Sequence, residues 1–232
     1  MSVWGRIGEF VSQTAGNAFS AVVEAVRTRF EGDPETRRQV SFSIAMIALS
    51  AKMAKADGVV TPDEIDAFRD IFAIPEAEAN NVARLYNLAK RDVSGFVSYA
   101  SQVRQLFPGD RQILEDVLDG LFHIAKADGV IHDKEMAFLD AVADTFGIDV
   151  RSYERIKLRH LHPEEGDPYE LLEAEPGWDD DTLKRHYRSL VSRNHPDRMM
   201  ARGVPEEFVA IANERLAAIN GAWENIRKER GL

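Results

Sequence analysis

Apolar residues recur along most of this chain at three- and four-residue intervals, the period that gathers them on one face of a helix. Near the C-terminus Leu183, Tyr187, Leu190 and Val191 form such a stripe within residues 182–194, with Lys184, Arg185, Arg188 and Arg193 mostly off it. A second stripe runs from Pro205 to Lys228. The pair predicts two helices packed against each other, joined by an exposed connection that holds His195-Pro196-Asp197. Proline fixes its own φ and pushes the preceding residue out of the helical region, so the first helix should stop there and the polar neighbours should project from a stiffened loop. Further upstream, residues 77–87 and 96–106 predict two more helices, and Val3, Trp4, Ile7, Phe10, Val11, Phe19, Val22, Val23 and Val26 form an amphipathic N-terminal segment over residues 1–35. That segment is expected either to dock on its own protein or to lie on a membrane surface.

The middle of the chain repeats itself. Ala54-Lys55-Ala56-Asp57-Gly58-Val59-Val60 recurs as Ala125-Lys126-Ala127-Asp128-Gly129-Val130-Ile131, and Glu64 and Glu135 stand at equivalent places after them. Apolar helix patterns flank both copies, so a helix-loop-helix unit is used twice within an all-α domain spanning residues 36–161. Asp57, Glu64, Asp128 and Glu135 fall at ligand positions of a calcium loop, which makes a divalent metal the one cofactor this pattern suggests. Two earlier ligand positions, however, hold Met53 and Lys55 in one copy and Ile124 and Lys126 in the other. Helix capping is the simpler account: Thr61-Pro62-Asp63-Glu64 reads as a capping box, and each glycine allows a tight turn.

Composition narrows the function classes. Lys+Arg 29 against Asp+Glu 39 gives a formal net charge of −10, which disfavours a general nucleic-acid binder and makes the basic stretch before His195 a local exception. Cysteine is absent, which excludes disulfides, thiol chemistry and cysteine-ligated zinc. His160 and His162, beside Pro163 and Gly166, read as part of a solvated linker around residues 162–166. No phosphate loop, nucleophile elbow, zinc helix or dinucleotide turn is present, so the chain is expected not to be an enzyme.

The residues around the tripeptide resemble the J-domain of DnaJ-type co-chaperones. Asp167-Pro168-Tyr169-Glu170-Leu171-Leu172 is similar to the opening of that family's first helix, Leu183, Tyr187 and Leu190 to its second-helix core, and Leu216, Ile219, Ala222, Trp223 and Ile226 to its third. The resemblance covers residues 167–230 and implies a J-domain over residues 167–232, a small helical hairpin whose Lys184, Arg185, Arg188, Arg193, His195, Pro196, Asp197 and Arg198 contact a DnaK-type chaperone and stimulate its ATP hydrolysis. The doubled middle pattern resembles the TerB family, and a TerB-like module followed by a J-domain is the order found in DjlA-like co-chaperones. The TerB resemblance carries an association with metal binding onto Asp57, Glu64, Asp128 and Glu135 alone. The N-terminal residues lack the continuous apolar run of a DjlA-type membrane anchor, so a cytoplasmic protein is expected, or one peripheral on the inner face of the cell membrane. A metal-binding or scaffolding stress protein of the TerB type is the alternative function.

Overall fold

Helix α2 (Pro34–Ala56) is buried on every side from Val40 to Ala54, a stretch dominated by apolar residues, and a helix of that kind has to be surrounded. The computed structural model describes residues 5–7, 19–29, 33–56, 68, 74–91, 95–126, 129–161 and 166–232, and among these there is no strand. Around α2 stand α1 (Phe19–Arg29), α3 (Ala79–Arg91), α4 (Phe96–Leu106), α5 (Arg111–Ala125) and α6 (Asp133–Phe146), and α7 (Val150–Leu161) covers α5 from outside. Val40, Phe42, Ile44, Met46, Ile47 and Leu49 of α2 are fully buried, and this is the heart of the larger core. Periodicity is a good guide to position here, since α4 has the expected bounds and α3 runs a few residues later than residues 77–87.

The described part of the N-terminal segment is docked on the protein itself. Phe19, Val22, Val23 and Val26 of α1 are buried, and the Phe19 ring stacks on Tyr99 of α4 with centroids 4.3 Å apart. Val3, Trp4, Phe10 and Val11 lie outside the described residues. Among those described, no helix is long and apolar enough to cross a membrane.

Only the second copy of the repeat is described at its turn. There α5 ends, Gly129 takes a φ of +91°, a value costly for any residue with a Cβ, and α6 begins at Asp133. The Glu135 carboxylate accepts a hydrogen bond from the His132 backbone N–H at 2.9 Å, the reach-back half of a capping box. Asp57, Thr61, Glu64 and Asp128 lie outside the described residues.

The C-terminal unit contains α8 (Pro168–Leu171), α9 (Asp180–Arg193), α10 (Pro196–Ala201) and α11 (Val209–Arg230). Asp167 and Asp179 cap α8 and α9 by accepting from the backbone N–H groups of Tyr169 and Thr182, at 2.9 and 2.8 Å. Tyr169, Leu172, Leu183, Leu190, Trp223 and Ile226 form a smaller second core, in which Tyr187 stacks on Trp223 at 4.7 Å. The two cores are not served by separate pieces of chain. Met199, Val204, Phe208, Ile211 and Ala212 are buried in the larger core, whereas Ile219, Ala222, Trp223 and Ile226, on the same helix α11 as Ile211 and Ala212, belong to the smaller one. Packing therefore crosses the boundary expected at residues 162–166, of which 162–165 lie outside the described residues.

Candidate partner-binding site

The basic helix α9 stops where expected, with Asn194 as its C-cap, and His195 takes the extended conformation (φ −64°, ψ 140°) that a proline after it demands. The tripeptide does not form the loop that its proline suggests. Pro196 occupies the first position of α10, where its missing N–H is no loss, and His195 Nδ1 caps that helix by accepting from the Asp197 backbone N–H at 3.3 Å. The side chains of His195 and Asp197 remain 51% and 78% exposed, with His195 Nδ1 3.5 Å from Asp197 Oδ2. Two residues on, Met199 is 1% exposed and anchors α10 in the larger core. The tripeptide thus stands in solvent between two fixed points: the α9–α11 pair behind it and Met199 ahead.

Arg185, Arg188, Arg193 and Arg198 are exposed, and Lys184 is half-buried on the same helix as the first three. Arg185 Nη2 donates to Thr182 Oγ1 at 3.1 Å. The acidic first turn of α9 is partly neutralised, since Asp180 Oδ1 accepts from Arg230 Nη1 at 3.0 Å. The positive face next to the tripeptide is therefore the dominant charge that α9 presents.

Behind the tripeptide lies a buried ionic cluster that sequence reasoning missed. Asp116 and Asp119 of α5 are 0% and 1% exposed. Arg215 of α11, also buried, donates from Nη1 to Asp116 Oδ1 and from Nε to Asp119 Oδ2, both at 2.8 Å. Arg202, after α10, adds a bond to Asp116 Oδ2 at 3.0 Å, and Arg159 of α7 adds one to Asp119 Oδ1 at 2.9 Å. His160, read from sequence as part of a solvated linker, is instead buried at the end of α7 with Nε2 2.9 Å from Asp119 Oδ1. Its place is set by a partner 41 residues earlier, which local composition cannot reveal. His162 lies outside the described residues. Glu214 contacts both His123 and Lys126, tying α11 to the end of α5 a second time.

Burial alone would raise the Asp119 carboxyl, but the Arg159 and Arg215 guanidiniums and the His160 hydrogen bond outweigh it and hold the group well below the ordinary carboxylate range. Burial pushes His160 down, against the opposing pull of Asp119. The cluster also reaches the residue next to the tripeptide, because Arg215 Nη1 donates to Asn194 Oδ1 at 3.3 Å. A signal for it existed in the sequence: Asp116 and Asp119 interrupt the otherwise apolar run of Leu114, Val117, Leu118, Leu121 and Phe122, and a charge on a buried face requires a partner. Close approach of α11 is permitted by Gly120, where a Cβ would stand 2.7 Å from Ile211 Cδ1 and 2.7 Å from Met46 Cε.

Of the residues suggested for a metal, Glu135 serves as a helix cap, and among the described residues no group of three or more acidic or histidine side chains is arranged to hold an ion.

The family model described as "Tellurite resistance protein TerB" matches residues 43–158, half of the chain. The chain belongs to the TerB family. Similarity to individual proteins extends further. "Co-chaperone protein DjlA" of Photobacterium profundum is 28% identical over 225 residues, covering 84% of this chain and 80% of the relative. The protein of that name from Aliivibrio fischeri is 26% identical over 234 residues, covering 87% and 83%. That of Escherichia coli (strain K12) is 25% identical over 273 aligned positions, covering 100% of each. The chain is thus a DjlA-like protein with a TerB-like domain, all-α as the hydrophobic pattern implies. No solved structure matches it.

Proposed function

We propose that this DjlA-like chain is a co-chaperone, a regulator rather than an enzyme, and that residues 167–232 act as a J-domain. The co-chaperone relatives of this chain support that role. Its partner is a DnaK-type chaperone, which it contacts through His195, Pro196 and Asp197 and through the basic side chains Lys184, Arg185, Arg188, Arg193 and Arg198, accelerating ATP hydrolysis by that partner. The observation that carries this reading is the pairing of exposure with rigidity at the tripeptide: two polar side chains stand in solvent on a segment clamped on both sides. Recognition by a pre-ordered segment loses little conformational entropy on binding. The positive face of α9 on a net-acidic chain steers it to an acidic surface. The TerB-like domain holds the segment in place through Met199 and the Asp116–Asp119–Arg215 cluster, and supplies the specificity for client or location. The protein works in the cytoplasm or against the inner membrane face.

The test is single-turnover ATP hydrolysis by the cognate DnaK-type chaperone with the full chain and with His195→Gln. Acceleration by the wild type and its loss in the variant is the expected result, with thermal unfolding lowered by no more than about 4 °C, because His195 is exposed and weakening its cap on α10 costs about 1 kcal/mol. Equal acceleration by both, or by neither, refutes the assignment.

A further inference from the structure

Where the two cores meet, a cleft of about 310 Å³ opens between α5, α7, the end of α8, and the segment from α9 to α11. Six arginines line it: Arg155, Arg159, Arg193, Arg198, Arg202 and Arg215. They come from separate parts of the chain and converge only in the fold. We propose that this cleft is a binding site for a small, multiply charged phosphate-bearing anion of the phosphoanhydride class.

The charges do not balance within the cleft. Six guanidinium groups face Asp116 and Asp119 behind the wall, and Glu115 and Glu173 at its rim, which leaves a surplus of two positive charges. The rim carboxylates are the weaker counterions. Glu115 is shared with Arg111 at 3.1 Å, and Glu173 stands 3.6 Å from Arg155 with its side chain 37% exposed. Arginine is also the side chain best matched to phosphate, since its planar fork offers parallel donors to two oxygens.

Donors are left over as well. Arg159 and Arg202 each give Nη2 to a buried aspartate, yet the Nε of each is buried without a hydrogen-bond partner. An unpaired buried donor on a charged group is costly, and few survive in folded proteins without a reason. Here two occur on guanidiniums in the wall of one cleft, buried behind its surface, so they show that the charge of this wall is incompletely satisfied by the protein itself. Glu173 is positioned at the cleft by the end of its own helix, which it closes in the left-handed conformation (φ +55°), its N–H donating to the Glu170 carbonyl and the Ala174 N–H to the Tyr169 carbonyl. It presents a carboxylate to Arg155, where a stronger anion would displace it.

Size decides among anions. About 310 Å³ lies at the lower end of small-ligand pockets. That admits a diphosphate group with a small organic portion and leaves no room for a folded peptide segment. Because Arg193, Asn194 and Arg198 flank the tripeptide in sequence, a ligand here would bridge the TerB-like wall to the segment carrying His195. The site itself does not depend on the co-chaperone reading.

The test is calorimetric titration of the full chain with inorganic pyrophosphate in low-salt, metal-free buffer. The expected result is saturable one-to-one binding, weakened at least tenfold by the double substitution Arg155→Gln and Arg198→Gln and tightened several-fold by Glu173→Gln, which removes the competing charge. The arginine substitutions leave the buried Asp116–Asp119–Arg215 bonds in place, and the gain in Glu173→Gln cannot arise from misfolding. Absence of saturable heat at millimolar pyrophosphate, or unchanged affinity in both variants, overturns the proposal. So does a hexaglutamate peptide that binds more tightly than pyrophosphate and loses affinity in the same arginine variant, because the cleft would then be a peptide site.

Discussion

Replacing Asp119 by asparagine is the sharpest perturbation of the junction. The substitution keeps the shape but removes the charge that Arg159, Arg215 and His160 share. Arg159 and His160 both meet Oδ1, so an amide oxygen there still accepts from them. The amide NH2 then lands at the position of Oδ2, which now lies 2.8 Å from Arg215 Nε and 2.6 Å from Arg215 Nη2, and donor faces donor. Breaking a buried ion pair by removing one partner costs about 3–5 kcal/mol. Asp119 is 1% exposed, so water cannot make up the loss and the upper part of that range is expected. Arg215→Met removes the cation instead, but Asp116 keeps Arg202 and Asp119 keeps Arg159, so the expected cost is roughly half as large. Thermal unfolding of the full chain measures both: for a protein of this size a loss of about 3–5 kcal/mol lowers the midpoint by about 6–20 °C. A loss below about 1 kcal/mol in Asp119→Asn, or a larger loss in Arg215→Met, would refute the account of Asp119 as the shared counterion.

Three other outcomes are expected. His160, pushed down by burial, gains its proton more readily in the unfolded chain, so its contribution is full above the ordinary histidine value near 6.5 and fades as pH falls below it; His123, lowered by burial and by Lys126, acts in the same direction. Denaturant midpoints should drop between about pH 7.5 and 5.5, less so in His160→Gln, while the Asp119 contribution persists until pH falls below about 4. Charge reversal at Arg185 or Arg188 should weaken chaperone binding about three- to tenfold at low salt with the partner's basal rate unchanged, and the difference should shrink as salt rises. Calcium titration should give weak binding or none, and micromolar binding lost in Asp57→Ala and Asp128→Ala would promote the metal reading over the capping one.

The parts legible in the sequence are those decided within a few residues. The stripe Leu183, Tyr187, Leu190 locates α9 within two residues at each end, because an amphipathic helix records its own face. The tripeptide is legible in place but not in setting. Proline reads as a stop, whereas Pro196 also starts α10, and the buried Met199 is the clue that this segment turns inward. The ionic cluster escapes a local reading because its members, from Asp116 to Arg215, lie up to 99 residues apart and none has a local motif. Only the misplaced charges on the apolar face of α5 point to it.

Helix α11 runs 22 residues, about 33 Å of rigid rod, with its first turns sunk in one core and its last in the other. The C-terminal unit is therefore not a detachable cassette. Cut away at residue 166, it would expose Met199, Val204, Phe208 and Ile211 to water, and the larger core would lose part of its wall. Such a chain is expected to melt in one step, and an exchange of C-terminal units by recombination would succeed only if the incoming helix fitted Gly120 and Asp116. Shared ownership of a single helix constrains how this architecture can be inherited as much as how it folds.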